Sequence, residues 1–137
     1  MDQGGEKEDG DAGVMALNRA PGGPNDEPSC IFFLNQNQGW VSNFNGFLAK
    51  STDGGRTWSD IFKLDDGSQI LSYFWNLHFS DSNHGWALSH QGDCYQTMDG
   101  GSGWSKMNTG VKATRMFFLR PDFCLLFSKE GLFRITS

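Results

Sequence analysis

From residue 30 onward the chain alternates short apolar runs with clusters of Gly, Asn and Asp, and no stretch keeps a helical period for three turns. Short runs of this kind, bounded by turn-forming residues, predict many short strands. The predicted strands are Ile31–Leu34, Trp40–Asn43, Phe47–Ser51 and Thr57–Phe62, then Trp75–Phe79, Trp86–Ser89, Cys94–Thr97 and Gly103–Met107. A last group follows as Arg115–Leu119, Cys124–Phe127 and Leu132–Thr136. Turns are expected at Asn45-Gly46, Gln91-Gly92 and Glu130-Gly131, and at two Asp-Gly-Gly sequences that call for positive φ.

The strands repeat. Phe33, Gly39-Trp40, Gly46, Ser51, Asp53, Gly55 and Trp58 recur 46 residues on as Phe79, Gly85-Trp86, Gly92, Thr97, Asp99, Gly101 and Trp104. Four of the five tryptophans thus occupy two repeat positions. A third copy lies 39 residues further: Phe118 matches Phe79, Gly131 matches Gly92, and Leu132–Thr136 matches Asp93–Thr97. Periods of about 40–50 residues holding several strands are those of propeller blades. The expectation is an all-β chain of four-stranded antiparallel blades, two complete and most of a third, forming a partial propeller.

Composition sets the boundaries. Residues 1–29 hold seven acids against Lys7 and Arg19, so the whole net charge of -5 lies there. Such a Gly-, Pro- and acid-rich stretch cannot bury enough surface to offset its ordering entropy. A disordered acidic leader is predicted over 1–29, blades over 30–63 and 73–108, and a partial blade over 114–137. From Cys30 on, nine acids balance nine bases, and no basic stripe with interleaved aromatics occurs. Nucleic acid is therefore not an expected partner. No apolar run reaches the roughly 18 residues of a membrane span, so direct membrane insertion is not expected. The start lacks the features of a secretory signal, which places the chain as written in the cytoplasm. Cys30, Cys94 and Cys124 show no Cys-x-x-Cys spacing and read as buried free thiols. His78, His84 and His90 need not share a face, and neither a metal nor a cofactor is expected.

The chemistry-bearing motif is Ser51-Thr52-Asp53-Gly54-Gly55-Arg56-Thr57-Trp58, repeated as Thr97-Met98-Asp99-Gly100-Gly101-Ser102-Gly103-Trp104 with Gly103 in place of the second hydroxyl residue. A turn carboxylate can accept from backbone N–H groups, glycines permit positive φ, and the tryptophan can cover the turn. The role predicted for Ser51, Asp53, Gly55, Thr57, Trp58, Thr97, Asp99, Gly101 and Trp104 is structural. A Ca²⁺ loop would need more oxygen ligands than Gly-Gly supplies. Trp40, Trp86 and Trp75 are expected in the core between blades, with an exposed aromatic binding platform as the alternative for Trp75 and its neighbours Tyr73 and Phe74.

These residues match the Asp-box pattern, Ser/Thr-x-Asp-x-Gly-x-Thr-Trp. With the preceding Phe33, Gly39-Trp40 and Gly46, the repeat resembles the photosystem II stability/assembly factor family. That resemblance covers residues 30–137 and implies a multi-bladed propeller that binds a protein client without a cofactor. Members of that family can be exported or thylakoid-associated, and commonly have about seven blades. Two departures stand out: Cys124-Leu125 replaces Gly-Trp in the third copy, and the chain stops one residue before a third box aspartate would stand. The latter suggests a truncated ring.

Three functions follow as expectations. The first is a non-enzymatic protein-binding scaffold, with Arg115, Arg120 and Arg134 as a candidate client-binding patch for an acidic partner. The second, since sialidases also carry Asp-boxes, is a piece of a sialidase-like glycoside hydrolase. Its resemblance implies three arginines clamping a carboxylate beside a Tyr-Glu pair, whereas Glu130 is the one glutamate after the leader. The third is a truncated relic or a homo-oligomer that completes the propeller, because partial propellers leave faces and an edge open.

Overall fold

The computed structural model describes residues 27–65, 67, 71–120 and 123–135. The predicted leader over 1–29 lies outside them except for its last three residues. Strands β1 (Pro28–Phe33), β2 (Gly39–Asn43), β3 (Phe47–Ser51) and β4 (Ser59–Lys63) form a first antiparallel sheet in chain order. β5 (Phe74–Phe79), β6 (Gly85–Ser89), β7 (Cys94–Thr97) and β8 (Ser105–Lys106) form a second. β9 (Ala113–Arg120), β10 (Phe123–Ser128) and β11 (Gly131–Ile135) form a third, of three strands. The chain is all-β, with the antiparallel four-stranded sheets of propeller blades. The first strand starts at Pro28, three residues before the pattern predicted. The fourth strands begin at Ser59 and Ser105, because Thr57 and Trp58, like Gly103 and Trp104, belong to the box turns.

Two apolar layers join the sheets. Trp40 and Leu48 of the first sheet pack on Phe74, Leu77, Phe79, Ala87 and Tyr95 of the second. Leu88 and Cys94 of the second pack with Met116, Cys124 and Leu126 of the third. Contacts between sheets concentrate on the first strands, β1 against β5 and β5 against β9, so the sheets fan outward from them.

The repeat register persists in three dimensions. Phe33, Phe79 and Phe118 stand opposite Gly39, Gly85 and Cys124. A Cβ built on Gly39 or Gly85 would lie 2.6 or 2.5 Å from the facing phenylalanine ring. The glycine of each Gly-Trp pair is therefore the space into which that ring folds. Cys124 stands at this position in the third sheet, and Phe118 lies against His78, with centroids 4.3 Å apart, as Phe79 lies against Phe32.

One alignment changes. In the second sheet Leu88 faces Cys94 across a loop of three residues, His90–Gly92. In the third, Phe127 faces Leu132 and the turn is only Lys129-Glu130. A one-residue shift turns every side chain to the other face. Leu132 therefore takes the facing position of Cys94, not Phe133 as the sequence alignment had it.

Candidate protein-binding site

Each box turn closes on itself. The Asp53 carboxylate accepts from the Thr57 hydroxyl (2.6 Å), the Thr57 amide (3.0 Å) and the Ser51 hydroxyl (2.8 Å). Ser51 Oγ in turn accepts from the Gly55 amide at 2.8 Å. Hydrogen bonds from Thr57 and Ser51 hold the Asp53 carboxyl down at about 2. Asp99 accepts from Gly103 N and Thr97 Oγ1, Thr97 Oγ1 in turn accepts from Gly101 N, there is no second hydroxyl, and the Asp99 carboxyl is also lowered, first by the Gly103 amide. Gly54 and Gly55 sit at φ 78° and 92°, Gly100 and Gly101 at 78° and 101°, where side chains are rarely accommodated.

The turns are also tied outward. Gly54 and Gly100 donate to the carbonyls of Asn37 and Asn83 in their own blades, both at 2.9 Å. The Trp104 indole donates to Gly101 O at 2.9 Å, and Trp58 meets Phe33 edge to face. The second turn is capped from the neighbouring blade as well: Trp40 Nε1 donates to Gly100 O at 2.8 Å. These box side chains are engaged within the scaffold.

A different feature faces outward. The pairings of β1 with β2, β5 with β6 and β9 with β10 share one skipped position, Ser29, Trp75 and Thr114, and β9 skips Leu119 as well. The three lie at one repeat position, each a bulge on a first strand. Bulges re-aim a side chain and cluster near functional sites. Ser29 turns inward and donates to Phe74 O at 2.6 Å. Trp75, expected in the core, is instead 45 % exposed. It lines a cleft of about 610 Å³ with Asn76, Thr114, Arg115, Phe117 and Phe127, between the first strands of the second and third sheets. Its lining joins three aromatic residues and Met116 with one arginine and two neutral polar residues.

The predicted arginine patch divides. Arg120 and Arg134 both lie over the Phe123 ring, at 5.3 and 4.4 Å. Arg115 stands at the other end of β9, opposite Phe127, roughly 15 Å away by strand rise. The three do not form one carboxylate clamp. Only Arg115 reaches the Trp75 cleft.

The remaining titratable groups are dispersed. His78 stacks on Phe118, His84 bonds Asp81, and His90 stacks on Tyr73. Among the described residues no cluster of His, Cys, Asp and Glu could hold a metal. Cys30, Cys94 and Cys124 are unpaired, and burial pushes their thiols up to about 11, 11 and 12. Among the described residues no helix is long and apolar enough to cross a membrane.

Sheets of this kind, stacked through their faces and fanning from their first strands, are β-propeller blades. Two solved structures share the arrangement. YCF48 bound to D1 peptide superposes with a TM-score of 0.65 at 23 % identity, over 80 % of this chain and 38 % of that one. YCF48 from Cyanidioschyzon merolae gives 0.65 at 16 % identity, over 85 % and 40 %. This chain spans about two fifths of the length of either neighbour. No protein-family model matches the chain, and no curated protein sequence does.

Proposed function

We propose that this chain is a non-enzymatic scaffold that holds an extended segment of a protein client in the Trp75 cleft. The observation that carries this reading is the bulge: it takes a tryptophan that would otherwise be buried between blades and sets it, 45 % exposed, beside Arg115 and Phe117. A large aromatic face and one arginine are the residue types that dominate protein-binding energetics. They suit a segment with an apolar side chain for Trp75 and a carboxylate for Arg115. The Asp-box residues serve the scaffold and not the client. The likeness to a propeller solved with a bound peptide supports the reading, as does the resemblance of the repeat to photosystem II stability/assembly factors.

The test is anisotropy titration of a fluorescent D1 peptide, the ligand of the neighbouring structure, against the wild-type chain, Trp75→Ala and Arg115→Ala. Binding weakened by about tenfold or more in each variant is expected. Equal binding by all three proteins, or no saturable binding at all, would remove the cleft from the reading. Turnover of a fluorogenic sialoside, abolished by Arg115→Ala, would establish the hydrolase alternative.

A further inference from the structure

The Trp75 cleft continues past Trp75. A second pocket of about 380 Å³ shares Trp75 and Thr114 with it and reaches His90, Lys112, Ser128, Lys129 and Glu130. The β6–β7 turn, the residues entering β9 and the β10–β11 turn build it, all within the joint between the second and third sheets. Local bonds fix each wall. His90 lies flat on Tyr73, with centroids 4.2 Å apart, and its amide donates to Tyr73 O at 3.0 Å. The Ala113 amide donates to Gly92 O at 3.0 Å, which ties the start of β9 to the same turn. The Glu130 amide donates to Ser128 Oγ at 2.9 Å and steadies the third turn.

A third pocket, of about 430 Å³, extends the groove from Lys112 and Glu130 to Asp93 and Lys106. The three joined pockets are lined by the cations Arg115, Lys112, Lys129 and Lys106 and by the acids Asp93 and Glu130. From Cys30 on, acids and bases balance at nine each, so the groove is positive against a negative remainder. Asp93 is buried, and its carboxylate is held by Lys106 at 3.3 Å and by Lys112. One carboxylate between two ammonium groups leaves a surplus positive charge there. Arg115 and Lys129 form no ion pair among the described residues. A partner of opposite charge complements such a groove.

Trp75 borders both of the first two pockets, with Arg115 in one and Lys112 and Lys129 in the other. β9 pairs Arg115 with Phe127 and Ala113 with Ser128, so Lys112 and Lys129 stand roughly 8–10 Å from Arg115 by strand rise and spacing. In an extended segment, side chains two positions apart share one face and lie about 6.7 Å from each other. Acids two positions before and two positions after an apolar residue are then about 13 Å apart, within reach of flexible arginine and lysine side chains. We propose that the second pocket takes an acidic side chain of the client, whose segment therefore reads acid-x-apolar-x-acid. Trp75 meets the apolar residue, Arg115 one carboxylate, and Lys112 with Lys129 the other. This inference rests on the client reading above and adds to it a second site for charge.

The experiment is anisotropy titration of a fluorescein-labelled Gly-Ser-Glu-Ser-Leu-Ser-Glu-Ser-Gly peptide against the full chain. It is run in about 50 mM salt, where exposed ion pairs are weakly screened. Two further peptides carry glutamine in place of one glutamate or the other. Lys129→Gln, an exposed position with no ion pair to lose, should weaken the parent peptide by about three- to fivefold. It should leave unchanged the glutamine peptide that already lacks the carboxylate for that pocket. Arg115→Gln should single out the other glutamine peptide in the same way, as two separate pairs require. If the parent peptide needs Trp75 but binds wild type and Lys129→Gln equally, the second site is overturned and the client reading stands. A loss in Lys129→Gln that is the same for all three peptides has the same meaning. No saturable binding of this peptide, when D1 peptide binds through Trp75, would overturn the acid-x-apolar-x-acid pattern alone. No saturable binding of either would remove the client reading as well. Binding that appears only in Asp9→Asn with Asp11→Asn would assign the pocket to the chain's own acidic segment, and would equally overturn the proposal.

Discussion

Trp40 lies flat on Phe79, their ring centroids 3.6 Å apart and their planes within 5°, while its indole donates to Gly100 O at 2.8 Å. One fully buried side chain of the first blade therefore joins both the apolar core and the box turn of the second. The turn thus takes a hydrogen bond as well as packing from the neighbouring blade. Gly101 offers its bare Cα to Ile61, Leu48 and Trp40, so positive φ and close approach demand glycine at the same residue.

Two substitutions separate these contributions. Trp40→Phe keeps an aromatic ring against Phe79 and orphans the Gly100 carbonyl, and should cost about 1–3 kcal/mol. Trp40→Ala also loses the packing and should cost about 3–5 kcal/mol. Urea unfolding checks both. A cost for Trp40→Phe indistinguishable from zero would mean that the indole bond adds nothing beyond the stack.

The glycine preceding each tryptophan supplies a second test. Ala at Gly39 or Gly85 puts a Cβ within 2.6 or 2.5 Å of a phenylalanine ring. Overpacking of this kind costs roughly 1–3 kcal/mol. Phe33 is 38 % exposed and can swing away, whereas Phe79 is 1 % exposed and pinned beneath Trp40. Gly85→Ala should therefore lower the unfolding midpoint more than Gly39→Ala does. The reverse order would show that the Phe79 ring is not what the glycine accommodates.

The strands and their grouping into blades were legible because period-two alternation and the 46-residue repeat both survive in the sequence. The spacing from Phe33 to Gly39 and from Phe79 to Gly85 was visible too, though the ring over the glycine could be seen only from the cross-strand pairing. The candidate site was legible only in part: Arg115 stood in the expected patch, and Trp75 as an exposed platform was the alternative to a core position. Ser29, Trp75 and Thr114 share a repeat position but no side-chain chemistry, and a bulge is specified by the pairing of two strands together. An apolar run containing Trp75 looks the same whether or not that residue is paired. The slip at Leu132 was hidden for a related reason: matching Gly131 to Gly92 aligned the sequences, while the shorter turn decided which way β11 faces. Arg115, Arg120 and Arg134 looked like one patch because sequence carries no distance along a strand.

The box acids should be visible in acid unfolding. Asp53 has a folded value of about 2, below its ordinary 3.8, so it binds fewer protons folded than unfolded between those values. Its contribution to stability is complete above about pH 4 and is lost as pH falls through about 2. The Thr57 hydroxyl is the largest cause, so Thr57→Val should raise the Asp53 value and move the onset of acid unfolding upward. Gly103→Thr is the converse change, supplying the missing hydroxyl to Asp99 with a Cβ that would lie 3.1 Å from its Oδ2. It should lower the Asp99 value and raise the thermal midpoint. Carboxyl carbon NMR titration reads both residues, and an Asp53 value unmoved by Thr57→Val would reject the hydroxyl as the cause.

His78, stacked on Phe118 of the third sheet and 5.0 Å from Phe32 of the first, gives the packing between sheets a pH dependence. Phe32 is its counterpart in the first blade, and both rings pack against the next blade. Burial lowers the His78 value from its ordinary 6.5, so the folded chain prefers the neutral imidazole. Stability from this position is therefore complete above pH 6.5 and declines as pH falls from there toward the lowered folded value. His78→Phe should abolish that decline and raise the unfolding midpoint at about pH 5.5 more than at about pH 7, where the wild-type imidazole is already neutral. Thermal unfolding at the two pH values measures the difference. An equal gain at both would mean that Phe is a better packing partner for Phe118 and that proton binding at His78 contributes nothing to the joint.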